Sequence, residues 1–196
     1  MSTTRERLKH TTQARVVEAA GRLFRERGFP STTVRDIAEA SGVSVGTVMA
    51  VGDKNGLLVR VFDEMVGAEH ARRAGMGSTS AGSATCPERL VALVEPFVAI
   101  FMARPELAQS YASIVASGTQ TSTLFTDLAG SLVGEFATTL AAHGCVDRAD
   151  ATALAESLYA AYVGTLFISS ARGTDEISDL VGRIHAVFTS ICRCKE

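Results

Sequence analysis

The chain has 196 residues, 46% of them apolar, with 19 Lys and Arg against 21 Asp and Glu and four cysteines. This size and apolar content suit a globular core, which excludes a disordered chain and a small domain held together by disulfides. The longest uncharged apolar stretch, residues 157–171, is shorter than the roughly 20 residues of a membrane span, and the polar start has no secretory leader, so we expect a soluble cytoplasmic protein without a membrane contact.

The near-neutral net charge hides an asymmetry along the chain. Residues 1–60 hold ten basic and six acidic groups, a net charge of +4, whereas residues 61–196 carry −6. A basic head on an acidic body indicates that the head contacts a polyanion while the body keeps the molecule in solution. A solvated surface could show the same excess, so the charge alone does not decide between the two interpretations.

Apolar residues recur at spacings of three and four, and the alternating runs typical of strands are almost missing, so the chain is predicted to be all-α. In the N-terminal part, Thr33 and Ser44 are candidate N-caps and Gly28 and Gly42 are candidate helix stops. These signals predict helices over residues 12–27, 33–41, 44–51 and 55–74. Residues 75–86 are small and polar and are predicted to form a linker or mobile loop.

The second half of the chain is predicted to form further helices. The run at residues 88–103 is apolar around nearly its whole circumference apart from Glu95, so we expect it to be buried on several sides and bent at Pro96. Pro105 is predicted to open the next helix. Three more helices are predicted over residues 121–143, 147–172 and 175–192, with Gly144 and Gly173 as stops.

Two short helices joined by a glycine turn at residues 33–51 have the spacing of a helix-turn-helix, whose second helix enters the major groove of DNA. The predicted inner face consists of Val34, Ile37, Ala38, Val43 and Val48. The outer face is left with Ser44, Val45, Thr47 and Ala50, small residues that let the backbone approach DNA closely. An ordinary αα-hairpin in a helical bundle could show similar caps, so this pattern alone is only weakly specific.

Residues 12–58 resemble the TetR family of bacterial one-component transcriptional regulators. The segments RVVEAAGRLFRERGF, TTVRDIAEASGVSVGT and DKNGLL are similar to the first helix, the helix-turn-helix and the start of the fourth helix of that family. The resemblance implies a DNA-binding domain of three to four helices at residues 1–54. It also implies a helical effector-binding and dimerisation domain at residues 55–196.

The resemblance also implies roles for individual residues. Thr33 and Lys54 look like phosphate anchors. The helix start that faces the groove in the family corresponds in this chain to Ser44, Val45, Gly46 and Thr47. The family usually has aromatic residues after this Gly-Thr pair, whereas this chain has Met49 and Ala50, so base contacts are expected to depend on small apolar groups that meet thymine methyls. A basic arm is expected from Arg5, Arg7 and Lys9. For Arg35, a phosphate contact and a solvated helix position are equally consistent with the sequence.

The implied partners are a palindromic operator in double-stranded DNA, a small-molecule effector and a second copy of the chain, with no cofactor. A homodimer is expected through the last two helices, with the operator released on effector binding. The candidate effector contacts are Glu95, Phe97, Phe101, Met102, Tyr111, Phe125, Asp127, Phe136, Tyr159 and Tyr162, although for each one taken singly core packing is the better explanation. Glu95 is expected to need a partner, a solvent path or a cationic ligand.

Two other classes of function, a thiol-based sensor and an enzyme, compete with this interpretation of the sequence. A thiol-based metal or redox sensor is the main alternative, since Cys192 and Cys194 form a local pair and His143 lies close to Cys145, but neither pair has a four-ligand spacing. An enzyme is not expected, because His10, His70, His143 and His185 are too scattered to assemble a nucleophile, a base and an orienting group. A chain that has lost DNA binding is disfavoured by the retained caps and basic residues.

Overall fold

The fold is taken from a computed structural model that describes residues 4–74, 84–144, 146–147, 149–172 and 176–192, apart from the side chain of Arg5. These residues form α-helices joined by short turns, and none of the described residues lies in a strand, which confirms the all-α prediction. The helices are α1 (Thr4–Arg27), α2 (Val34–Ser41), α3 (Val45–Val51), α4 (Lys54–Ala74), α5 (Cys86–Met102), α6 (Pro105–Ala116), α7 (Asp127–His143), α8 (Ala151–Arg172) and α9 (Ile177–Cys192). A single 3-10 turn, Thr123–Phe125, precedes α7.

The chain divides into two compact units. The N-terminal unit contains the residues up to 64 together with residues 106–122, so α6 and the turn after it belong with α1 to α3 and the beginning of α4. The C-terminal unit contains residues 65–105 and the chain from residue 123 onwards. The helix α4 therefore contributes to both units, whereas the sequence-based boundary at residue 54 falls at its first residue.

A continuous apolar core holds the N-terminal unit together. The helix α1 packs on α2, and α2 packs on α3. The largest buried side chains include Phe24, Ile37, Leu57, Leu58 and Tyr111. Burying such side chains is worth roughly 1.5–3 kcal/mol each, which fixes the short helices α2 and α3 that could not persist alone.

In the C-terminal unit, α7 packs on α8, α5 packs on α9, and α8 packs on α9. Its core is built from leucines and phenylalanines such as Leu90, Phe136, Leu140, Leu158 and Phe188. By length and apolar content α8 is long enough to cross a membrane. However, its residues Ala155, Leu158, Tyr162 and Leu166 are buried within the protein, which is the pattern of a core helix in a helical bundle.

The helix ends show where local sequence signals were sufficient. The helix α2 ends at Gly42, whose φ of 65° is the left-handed conformation that glycine adopts readily, and α7 ends at Gly144 in the same way. The helix α1 begins at Thr4 rather than at residue 12, and the helix predicted from residue 121 begins only at Asp127. Most of the predicted linker at residues 75–86, and the predicted stop at Gly173, lie outside the described residues.

Candidate DNA interface and internal cavity

The start of α2 is fixed by a capping box, as predicted. The Thr33 amide donates a hydrogen bond to Asp36 Oδ2 at 2.8 Å, and the Asp36 amide donates one to Thr33 Oγ1 at 3.2 Å. Hydrogen bonds from the Thr33 hydroxyl and from the Thr33 amide to the carboxylate lower the pKa of Asp36, with a smaller contribution from Arg27. The Thr33 hydroxyl lies 2.7 Å from the same carboxylate oxygen. Both donors of Thr33 are therefore engaged within the protein, and a phosphate contact through Thr33 would require its hydroxyl to turn away from Asp36.

The start of α3 is capped by Ser44, whose Oγ accepts a hydrogen bond from the Thr47 amide at 3.1 Å. The Ser44 and Thr47 hydroxyls are 2.9 Å apart, so they hold each other in place. The predicted inner face agrees with the burial pattern at its main positions, because Ile37, Ala38 and Val48 are buried. Val34 and Val43 are half-buried at its edges.

The opposite face of α3 is open to solvent and carries small or flexible side chains. Met49 is 50% exposed, and Ser44, Val45, Gly46 and Ala50 are exposed with it, while Thr47 is half-buried. A methyl group at Gly46 would meet only Ser44 Oγ, 3.8 Å away, so the fold itself has room for a larger residue. The small side chains on this face of α3 are therefore accessible at the surface of the N-terminal unit.

Lys54, the other expected phosphate anchor, is the first residue of α4 and is also engaged within the protein. Its Nζ donates a hydrogen bond to the Pro30 carbonyl at 3.2 Å and lies 4.5 Å from the centre of the Phe29 ring. Partial burial lowers its pKa. An ammonium group has three donors, so Lys54 can fasten α4 to the α1–α2 loop and still contact a phosphate.

The expected basic arm is a helical extension of α1. Arg7 and Lys9 are exposed on this extension, and the side chain of Arg5 lies outside the described residues. Arg35 is exposed on α2. Sequence reasoning did not single out Arg15, whose Nη2 donates a hydrogen bond to the Ser41 carbonyl at 2.5 Å and thereby fastens α1 to the end of α2. A cation at a helix C-terminus also complements the helix dipole.

The C-terminal unit contains an apolar cavity of about 400 Å3, part of it open to solvent. Five of the expected contact residues line it, namely Phe97, Phe101, Phe125, Tyr159 and Tyr162. The Tyr159 hydroxyl donates a hydrogen bond to the Leu124 carbonyl at 2.5 Å, and burial raises the pKa of Tyr159 to about 12. Tyr159 therefore stays neutral at physiological pH and fixes the turn that forms one wall of the cavity.

Five other expected contacts lie away from this cavity. Glu95 is exposed on the same solvent-facing stripe of α5 as Ala92 and Ala99, so of the three outcomes expected for it the structure gives the solvent path. Asp127 is exposed at the start of α7. Tyr111 is buried in the N-terminal unit and Phe136 packs edge-to-face on Phe188 in the core. Met102, at the end of α5, is half-buried and does not line the cavity.

Sequence reasoning missed His70 as a cavity residue, along with several aliphatic side chains and one phenylalanine. The additional lining residues are Val66, His70, Leu124, Leu128, Leu132, Val163, Leu166 and Phe167. Apolar residues in a helical pattern carry no sign that distinguishes a cavity wall from a core. The His70 ring lies 4.6 Å from the Phe97 ring, a contact between distant parts of the chain that local pattern does not reveal.

The structure gives no support to a thiol or metal sensor. Cys86 and Cys192 are both buried, and Cys145 and Cys194 lie outside the described residues. Within the described ranges, no three His, Cys, Asp or Glu side chains come together in a way that could hold a metal ion.

The sequence and the fold were each compared with known proteins. Residues 16–50 match the family profile described as bacterial regulatory proteins, tetR family. No curated protein matches the chain.

Among solved structures, a TetR transcriptional regulator from Rhodococcus sp. RHA1 has a TM-score of 0.64 at 17% identity, covering 96% of this chain and 97% of its own. A transcriptional regulator from Saccharomonospora viridis, in complex with choline, has a TM-score of 0.59 at 23% identity and covers 92% and 96%. The fatty acid degradation regulator FadR from Bacillus halodurans has a TM-score of 0.55 at 20% identity and covers 93% and 97%. Residues 16–50 therefore match the tetR-family profile over the helix-turn-helix, and the fold along the whole chain is similar to that of TetR transcriptional regulators.

Proposed function

We propose that the protein is a cytoplasmic, homodimeric repressor that binds a palindromic operator and leaves it when a small molecule occupies the cavity of the C-terminal unit. The observation that carries the proposal is the combination of an exposed, small-residue α3 in one unit with a largely apolar cavity in the other. Ligand sites in proteins are mostly apolar with a few polar groups, and the residues that line this cavity have that composition. Neither catalysis nor a cofactor is part of the proposal.

In the proposed DNA complex, α3 lies in the major groove with Val45, Thr47, Met49 and Ala50 towards the base edges. Val45, Ala50 and the Thr47 methyl group suit the methyl groups of thymine. Arg7, Lys9, Arg35 and Lys54 contribute phosphate contacts, with Arg5 on the same helical extension. Such contacts set the position on the duplex and the dependence on salt, whereas the α3 contacts set the sequence.

The proposed dimer forms through α8 and α9. Their inner faces are occupied within the protein, but Ile168 on α8 remains 56% exposed and Ile177 on α9 remains 45% exposed. A methyl group at Gly164 or Gly182 would meet nothing within 4 Å, so both glycines face open space. Small residues beside exposed isoleucines allow two helices to approach closely, which suits a second copy of the same pair of helices.

The proposed release mechanism uses α4, which belongs to both units. A ligand can release DNA only if it binds more tightly to an arrangement that does not fit the operator. Since α4 begins beside the helix-turn-helix and its later residues Val66 and His70 line the cavity, a shift of this helix is the simplest way to couple the two.

Selection of genomic DNA fragments by the purified protein tests the proposal. A two-fold symmetric dimer should select an inverted repeat whose half-sites lie about one helical turn, or a multiple of it, apart. Placed between a promoter and a reporter gene, the selected site should lower expression only when the regulator gene is present. Selection of fragments without an inverted repeat would contradict the dimeric operator complex, and higher expression in the presence of the regulator would contradict repression.

A further inference from the structure

Three side chains from α4 and α7 form a polar cluster beside the cavity, called here the polar corner, and of the three only His70 is among the residues that line the cavity. His70 Nδ1 lies 3.8 Å from Glu135 Oε1, and Arg73 Nη2 donates a hydrogen bond to Glu135 Oε2 at 2.6 Å. Both His70 and Arg73 also contact Phe97, since the imidazole lies 4.6 Å and the guanidinium 5.4 Å from the centre of that ring. His70 and Phe97 line the cavity, so this corner stands at its wall.

Arg73 has an unused donor in this corner. Its side chain is only 16% exposed, and its Nη1 is buried without a hydrogen-bond partner. A buried guanidinium nitrogen without an acceptor is unfavourable, because its interactions with water are lost and not replaced. Glu135 does not correct this, since it is held by Nη2 of the same guanidinium.

His70 adds a second polar group that can change its charge. Burial lowers the pKa of His70, and the positive charge of Arg73 lowers it further. The negative charges of Glu135 and of Glu69, the residue before His70, act in the opposite direction. The imidazole is therefore neutral at neutral pH and faces Phe97 and the cavity. The 3.8 Å separation from Glu135 is too long for a hydrogen bond, so His70 can form one with a group inside the cavity.

We propose that the effector is an amphiphile with a single acidic head group, a carboxylate or its equivalent, which binds between His70 and Arg73 while its apolar part lies along Phe101, Leu132 and the other apolar lining residues. The inference rests on the proposed role of the cavity as the effector site. An acidic oxygen supplies the acceptor that Arg73 Nη1 lacks, and His70 supplies a second donor. A cationic head group would leave Nη1 unsatisfied and would meet the charge of Arg73.

Three ten-carbon compounds that differ only in their head groups test the inference on the full-length protein: decanoate, decanol and decyltrimethylammonium. Calorimetric titration should give an affinity for decanoate about 10- to 100-fold higher than for the other two, the range expected for a charge-assisted hydrogen bond in a buried corner. Arg73→Gln and His70→Gln should each lower the affinity for decanoate and leave that for decanol nearly unchanged. Arg72→Gln is the matched control, because Arg72 immediately precedes Arg73 in the chain but its side chain is exposed and forms an ion pair with Glu69.

A second measurement does not depend on any substitution. The pKa of His70, followed by NMR through its ring protons, should rise when decanoate binds, because a nearby negative charge stabilises the imidazolium, and should not rise with decanol. Equal or tighter binding of decanol or decyltrimethylammonium would overturn the acidic head group while leaving the cavity as an effector site. Failure of all three compounds to bind would overturn both the acidic amphiphile and the proposed use of the cavity.

Discussion

Gly46 offers a direct test of how closely α3 approaches DNA. Alanine fits the fold at this exposed position, because its methyl group would meet only Ser44 Oγ at 3.8 Å. Replacing a glycine by alanine at a compatible helical position stabilises a protein by about 0.4–1 kcal/mol. For a chain of this length, that gain corresponds to a rise in Tm of about 1–4 °C. In the absence of DNA, Gly46→Ala should therefore raise the free energy of unfolding.

DNA binding should change in the opposite direction. If the glycine allows the α3 backbone to lie close to the duplex, the added methyl group displaces a phosphate or base contact and lowers operator affinity by about ten-fold or more, which is about 1.4 kcal/mol. Fluorescence anisotropy with the selected operator measures this loss, and thermal unfolding measures the gain in stability. Gly130→Ala on α7 is the matched control, since Gly130 is also exposed and equally open, and it should leave operator affinity unchanged. A more stable Gly46→Ala protein with undiminished operator affinity would refute the close approach.

Three further outcomes follow from the structure. Lys54→Ala should weaken binding to operator and random duplexes alike and reduce the salt dependence by about one phosphate, whereas Thr47→Ala should also alter site preference. Both variants are titrated with both duplexes over a salt series, and equal losses on the two duplexes for both variants would contradict the separation of phosphate contacts from base contacts. The pKa of His70 is lowered in the folded state, so as the pH falls below about 6.5 the unfolded chain binds a proton before the folded chain does. The natural protein should therefore lose stability below that pH, and His70→Gln should lose less, as measured by urea unfolding at about pH 7 and pH 5.5. Tyr111→Phe should cost about 0.5–1.5 kcal/mol of unfolding free energy, since it removes a buried hydrogen bond to Ser122 at 2.9 Å without opening a large cavity; an unchanged denaturant midpoint would show that this hydrogen bond contributes nothing.

The parts of the fold that the sequence predicted correctly depend on local chemistry. The caps at Thr33 and Ser44 and the stops at Gly42 and Gly144 involve residues only a few positions apart, and all four are present. The start of α1 was placed too late, because residues 4–11 are polar apart from Leu8 and lack the apolar spacing that signals a packed helix. An exposed helical extension continues a helix that is already nucleated, so it needs no apolar face of its own.

The cavity was only partly predictable, because its walls are defined by contacts between distant parts of the chain. Phe97, Phe101 and Tyr159, which were selected for their aromatic rings, line the cavity, whereas Phe136, selected by the same criterion, is buried in the core. The sequence left a partner, a solvent path and a cationic ligand open for Glu95, and its spacing of three and four from the small residues Ala92 and Ala99 agrees with the exposed stripe on which it lies. The contacts of Glu135 with His70 and Arg73 join residues far apart in the sequence, and no periodicity carries that information.

The position of the polar corner on α4 bears on how an effector could act. A ligand with equal affinity for the DNA-binding and the released arrangements shifts neither, however tightly it binds. The differential contact must therefore involve an element whose position differs between them, and α4 carries Lys54 in one unit and His70 and Arg73 in the other. An acidic head group between His70 and Arg73 acts on α4 directly, whereas contacts of the apolar part with α5, α7 and α8 act on it only through packing. By linkage, operator DNA must weaken the binding of such a ligand by the same factor by which the ligand weakens operator binding, so the size of the regulatory response is set by how much the head-group contact differs between the two arrangements and not by the affinity itself.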